Sequence, residues 1–132
     1  MIVVDASVIL DLLLATSAAK TIDQRLFASV ESLHAPQVLD LEVLQVLRRY
    51  NLAGQLPDWR ASEAIEDFLA IPIERYPHGI LVDRLWELRN NMTAYDAAYV
   101  ALAELLGATL LTRDKKLASA ASSAGVPRVE CI

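Results

Sequence analysis

Four short stretches of this chain put an acid where chemistry is possible. Ile2-Val3-Val4 runs straight into Asp5-Ala6-Ser7, and APQVLDLEVLQVLRR carries Asp40 and Glu42. TAYDAAYVALAE carries Asp96, and LLTRDKKL carries Asp114. Carboxylates gathered in one place are hard oxygen ligands, suited to Mg²⁺ or Mn²⁺. Scattered, the same acids are only punctuation for helix ends. The elements that hold them decide between the two.

Each acid has an ordinary explanation. Asp5 follows a strand and precedes a helix, the place of a turn or cap acid. Ser7 already reads as a good cap there, which leaves Asp5 less need of that job. Glu42 falls on one border of the apolar stripe of its helix and Asp40 near the other, so periodicity does not choose between them. Thr93-Ala94-Tyr95-Asp96 fits a capping box, which accounts for Asp96 without catalysis. The same geometry puts a carboxylate on a helix that begins at the sheet's edge. Asp114 fits the N-cap of the helix that starts at Lys115.

The positioning elements alternate. Ile2–Val4 is a short, apolar, β-branched run, the signature of a buried strand. Helices are expected over Val8–Leu14 and Ala18–Glu31, and a short strand over Leu33–Ala35. Pro36–Asn51 is strongly helical, with Leu39, Val43, Val46, Leu47 and Tyr50 on one face. Gly54 follows as a stop, and Asp58 is read as the cap of a helix reaching Leu69. Ile71–Tyr76 reads as a strand that Pro72 demotes to an edge. Helix follows over Ile80–Arg89 and over Thr93–Leu106, the latter stopped by Gly107. Ala108–Thr112 is a buried strand, Lys115–Ala124 a helix closed by Gly125, and Val126–Ile132 a last strand. This order predicts an α/β fold, one domain over residues 1–132, with a mostly parallel sheet. Sites in such sheets form outside the carboxyl ends of the strands. Asp5 and Asp114 both lie just past such an end.

Composition narrows the class. The 132 residues suit one domain. The hydrophobic fraction of 55% exceeds the roughly 45–50% of an average soluble chain, which implies a large core or an apolar face for a partner. Net charge is −5, against simple electrostatic capture of nucleic acid, although a bound metal reverses the local sign. The single cysteine, Cys131, supports neither a disulfide framework nor a zinc cluster. The apolar N-terminus lacks a basic leader and is interrupted by Asp5 and Asp11, so it does not read as a signal peptide. No uncharged run has the length of a membrane span, and a cytoplasmic protein is expected.

Taken in order, the strand ending in Asp5-Ala6-Ser7, the acid in APQVLDLEVLQVLRR, TAYDAAYVALAE and LLTRDKKL resemble a PIN-domain ribonuclease. More narrowly they resemble the VapC toxins of toxin–antitoxin pairs. The resemblance covers nearly the whole chain, and its last two motifs are the most specific. It implies Asp5, Glu42, Asp96 and Asp114 as catalytic and metal-binding acids, and so favours Glu42 over Asp40. Ser7 and Thr112 match auxiliary hydroxyl positions. It also implies Mg²⁺ (or Mn²⁺) as cofactor, an RNA substrate cut to 5′-phosphate and 3′-hydroxyl ends, a small antitoxin and a homodimer.

The basic residues have mostly ordinary roles. Arg48 and Arg49 suit a helix C-terminus. Lys115 and Lys116 stand at a helix start, where the dipole does not favour them, and are the better candidates for RNA contact. Arg89 and Arg113 are further candidates. His34 and His78 read as structural or surface residues. Two other functions compete. An aspartyl-nucleophile phosphatase usually shows DxD after its first strand, and here the second acid is missing. A catalytically inactive PIN-like scaffold would not need all four acids.

Overall fold

Ile2, Val3 and Val4 are fully buried and form the central strand, β1 (Ile2–Val4). This computed structural model describes all 132 residues. After β1 come α1 (Ala6–Leu13), α2 (Ala19–Phe27), β2 (Leu33–Pro36), α3 (Val38–Leu52), α4 (Asp58–Ala70) and β3 (Ile73–Tyr76). A 3₁₀ turn (His78–Leu81) leads to α5 (Val82–Glu87), α6 (Ala94–Leu106), β4 (Thr109–Thr112), α7 (Lys115–Ala124) and β5 (Val129–Cys131).

The sheet is fully parallel in the order β3-β2-β1-β4-β5. The chain winds from β1 outward to β3, then crosses back to β4 and on to β5. Right-handed crossovers therefore set α1–α4 on one face and α5–α7 on the other, and the helices pack within those two groups. The direction reverses between β1 and β4, which makes the crevice at their carboxyl ends the topological switch point. One core of 33 buried apolar residues fills both layers.

Local signals account for most boundaries. Thr93 caps α6 by accepting from the Asp96 amide, and Gly107 ends it in the left-handed region at φ 60°. Pro72 precedes β3, which is an edge strand as expected.

Other boundaries move. Ser7 is not the cap of α1: Asp5 is, and Ser7 lies inside the first turn. Asp58 is the first residue of α4 rather than its cap, with its carboxylate accepting from Asn51. α2 stops at Phe27, because the apolar series Ile22, Leu26 has no buried successor and Val30 is exposed. Pro36 closes β2, so α3 begins at Val38, and Val46 and Tyr50 are half-buried. The expected Ile80–Arg89 helix splits into the 3₁₀ turn and the short α5, anchored by buried Leu81 and Leu88. β5 starts only after Pro127. No helix is long and apolar enough to cross a membrane.

Candidate active site

The switch-point crevice is built around Asp5. Its backbone is extended (φ −95°, ψ 173°) as β1 turns into α1, and the side chain is 5% exposed. Oδ1 accepts from the Ser7 hydroxyl at 2.6 Å and from the Val8 amide at 3.2 Å. Oδ2 accepts from the Thr112 hydroxyl at 2.5 Å. Thr112, fully buried at the end of β4, also accepts from the Asp114 amide at 2.9 Å. The hydroxyl expected to be auxiliary thus joins the loops after β1 and β4. Ser7 adds a second tie, accepting from the Arg113 amide at 3.0 Å.

Asp114 is exposed and caps α7, accepting from the Lys116 and Leu117 amides. Asp96 is half-buried in the first turn of α6. The capping box there is only half formed. Thr93 receives the Asp96 amide at 3.2 Å, but the Asp96 carboxylate makes no hydrogen bond in return. Glu42, half-buried on α3, accepts at Oε1 from the Tyr99 hydroxyl at 2.5 Å. Asp40, its rival in the sequence, is held by Arg75 at 2.7 Å.

The charges of these acids act on one another. Burial pushes the Asp5 carboxyl above its usual range, against the bonds from Ser7, Thr112 and Val8, and the Asp114 charge adds to the rise. Glu42 is raised by burial and by Asp96 and Asp5, with Tyr99 opposing. Asp96 is raised by burial, then by Asp114 and Asp5. Burial and Glu42 together push the Tyr99 phenol well above its ordinary value. None of the four acids forms an ion pair. Arg25, Arg60, Arg75, Arg84 and Arg113 are all matched to other acids.

No group of three His, Cys, Asp or Glu side chains is already spaced to hold an ion. The donor chemistry nonetheless fits a hard cation: all four groups are carboxylates, none has a cationic partner, and three are destabilised in their charged form. Asp5 is the most constrained of them, with three hydrogen bonds to its carboxylate, while the Asp96 carboxylate makes none.

Around this crevice, Lys115 and Lys116 are exposed and in no ion pair. Arg113 is tied down, donating to Asp11 at 2.6 Å and to the Ile132 carbonyl at 2.8 Å. His34 is buried between Ser32 and Tyr76, and His78 accepts from the Val38 amide at the start of α3; both are structural. An open groove of about 1100 Å³ between α1, α3 and α4 is lined by Ser7 and Glu42 and by Leu10, Leu41, Leu44 and Ile65. Tyr99 was not among the residues expected at the site. Its signal was a tyrosine in an Ala/Val/Leu stripe, three residues after Asp96, whose buried hydroxyl needs a partner.

The PIN domain family matches residues 2–122. Ribonuclease VapC12 of Mycobacterium tuberculosis is 38% identical over 118 residues, covering 89% of this chain and 90% of the relative. Ribonuclease VapC1 of the same organism is 40% identical over 119 residues, covering 89% of each. Among solved structures, a toxin–antitoxin complex from Klebsiella pneumoniae superposes with TM-score 0.67 at 21% identity, over 98% of this chain and 96% of that one, a likeness of fold. The sheet order, the acids at its switch point and these relatives agree: the chain belongs to the PIN-domain family, in its VapC-type branch.

Proposed function

We propose that this chain is a metal-dependent endoribonuclease, the toxin of a toxin–antitoxin pair, with Asp5, Glu42, Asp96 and Asp114 as its metal-binding and catalytic acids. The observation that carries the reading is four carboxylates near one switch point without an Arg or Lys partner, in a chain whose other half-buried acids each pair with an arginine. The relatives named ribonucleases support the substrate class. Asp5, Glu42, Asp96 and Asp114 would hold Mg²⁺ or Mn²⁺, which supplies a positive field for an anionic phosphodiester and an activated water.

The chain's own residues do the rest. Ser7 and Thr112 fix Asp5 by donating to its two oxygens, so its remaining lone pairs face a set direction. Asp96, with no hydrogen bond of its own, adjusts to what binds. Lys115 and Lys116 offer charge for flanking phosphates from the start of α7. Arg113 keeps the β4 loop against α1 instead of contacting RNA.

The groove is the proposed seat of a small antitoxin. Its walls are mostly apolar, with Leu41 68% and Leu44 42% exposed, and Glu42 is among the residues that line it. A basic antitoxin side chain, Arg above all, reaching Glu42 from this groove would pair with the unmatched acids. The protein is proposed to work as a homodimer in the cytoplasm.

The test is cleavage of RNA with Mg²⁺, with Mn²⁺ and with EDTA, beside a phosphatase assay under the same conditions. Metal-dependent cleavage that EDTA abolishes is the expected result. Phosphatase activity, or no cleavage of any RNA offered, would overturn it. Light scattering on the isolated chain, and co-purification with the product of the neighbouring gene, test the dimer and the antitoxin.

A further inference from the structure

Glu42 and Asp96 come to the crevice on helices from opposite layers of the fold, and one side chain links them. Tyr99 stands three residues after Asp96 on α6, the spacing that puts two side chains on one helix face. It is 1% exposed, and its hydroxyl donates to Glu42 Oε1 on α3 at 2.5 Å. The bond therefore crosses from one helix layer to the other past the end of the sheet.

We propose that Tyr99 is a positioning residue of the site: its phenol holds the Glu42 carboxylate at the crevice, with Oε1 occupied and Oε2 left for a ligand. The inference rests on the metal-binding reading above and adds to it a residue outside the four acids.

Three observations carry it. Neither partner makes another bond. The Tyr99 hydroxyl makes this bond alone, and its neighbours along α6, Ala97, Ala98, Val100 and Ala103, are buried and carry no polar side-chain groups. Glu42 likewise has no other hydrogen bond or ion pair. Packing also explains the ring but not the hydroxyl, since phenylalanine would fill the same space, and a buried hydroxyl is costly unless matched. Finally, Glu42 lies between exposed Leu41 and exposed Leu44 on α3, facing a wide groove. A flexible glutamate there, without a donor, would turn out into water. Groups that orient a ligand in this way typically change metal affinity 10- to 100-fold when removed.

A double-mutant cycle separates positioning from simple satisfaction of a buried hydroxyl. Wild type, Tyr99→Phe, Glu42→Gln and the double variant are titrated with Mn²⁺ at constant ionic strength. The readout is the rise in Tm and its midpoint concentration. Tyr99→Phe keeps the ring, so its metal-free fold is expected to persist. Its midpoint should move to about tenfold higher Mn²⁺. In the Glu42→Gln background the same change should have no further effect on the midpoint, because Tyr99 acts only through Glu42. A Tyr99→Phe protein with the wild-type midpoint overturns the inference and leaves the metal reading intact. So does an equal shift in the Glu42→Gln background. A wild type that shows no response to Mn²⁺ overturns the metal reading, and this inference with it.

Discussion

Around Arg25 the acids are matched; around Asp5 they are not. Arg25 donates from Nε and Nη2 to the two oxygens of Glu130, at 2.6 and 2.8 Å, and from Nη1 to Glu31 at 3.1 Å. The N-terminal amine lies 3.6 Å from the other oxygen of Glu31. The Arg25 hydrogen bond holds the Glu130 carboxyl below its usual range. Burial pushes Glu31 up, but the bond and charge of Arg25 outweigh it, and the net shift is downward. At the switch point the shifts of Asp5, Glu42 and Asp96 all run upward. One cluster ties α2 to β5 and to the loop before β2. The other gathers like charges that oppose folding, which a domain of marginal stability keeps only for a use. Both contain carboxylates at good hydrogen-bonding distance, so the acids alone do not distinguish them. The missing cation does.

The sharpest break in this comparison comes from Asp96→Asn. If the carboxylate is a ligand, the variant should lose cleavage by at least a hundredfold, in line with the several kcal/mol that metal-based stabilisation contributes. Its fold should persist, because the cap bond to Thr93 comes from the Asp96 backbone amide, which the substitution leaves in place. A mere cap acid would instead cost no more than about 1 kcal/mol of stability and leave cleavage intact. Activity and thermal unfolding measured on one preparation separate the two.

Next in size is the response to metal. Mg²⁺ or Mn²⁺ should stabilise the unmatched cluster and leave the Arg25 cluster untouched. At a hundredfold excess over the dissociation constant the gain is about 2.7 kcal/mol, by mass action alone. Scanning fluorimetry at fixed ionic strength, with EDTA as reference, reads it. Superimposable melting curves would mean that the acids do not form a metal site.

How the two clusters differ was only partly legible in the sequence. Strands and helix ends were local matters: the run Ile2–Val4, the cap Thr93 and the stops Gly107 and Gly125 appear where their residue types put them. Asp5 and Asp114 could be placed because each directly follows a strand. The partners could not. Asp5 meets Thr112 across 107 residues, and Glu42 meets Tyr99 across 57. Periodicity does not choose between Glu42 and Asp40, and only the family resemblance favours Glu42; the pairing of Asp40 with Arg75, 35 residues away, is a contact that local pattern does not show. Ser7 was misread as a cap because Asp5 and Ser7 are both good cap types. The outcome turned on β1 ending at Val4, which makes Asp5 the first residue outside α1 and turns the Ser7 hydroxyl into a donor.

A smaller effect is expected from Arg25→Gln. Its ion pairs are partly exposed and so screened by solvent, and the loss should be about 1 kcal/mol at neutral pH and less at high salt. Glu31 and Glu130 have folded values below their unfolded ones. Their contribution is therefore present above about pH 4.5 and disappears as pH falls. Denaturant titrations of wild type and variant should converge as pH falls below about 4.5. A difference that stays constant from pH 3 to 7 would show that Arg25 acts through packing instead.

The smallest expected effect runs the other way with pH. Asp5 has a folded value above its unfolded one, so its contribution is favourable below about pH 3.9 and is lost as pH rises through the folded value. Asp5→Asn imitates the protonated carboxyl at every pH and should remove that dependence. In EDTA the variant's stability should therefore change less than wild type's between about pH 4 and 7, with the curves closest at the acid end. At neutral pH two terms oppose each other. Removing a buried charge, and with it the repulsion by Asp114, stabilises the variant. The amide also replaces one acceptor oxygen, so either the Thr112 bond must reverse or the Ser7 and Val8 bonds must weaken. Each is on the order of 1 kcal/mol, so the difference at pH 7 should be under about 1 kcal/mol while the slope still differs. The slope is the measurement that counts. Parallel pH profiles for wild type and Asp5→Asn would place Asp5 among the acids whose charge folding does not oppose, and would erase the contrast with Glu31 and Glu130.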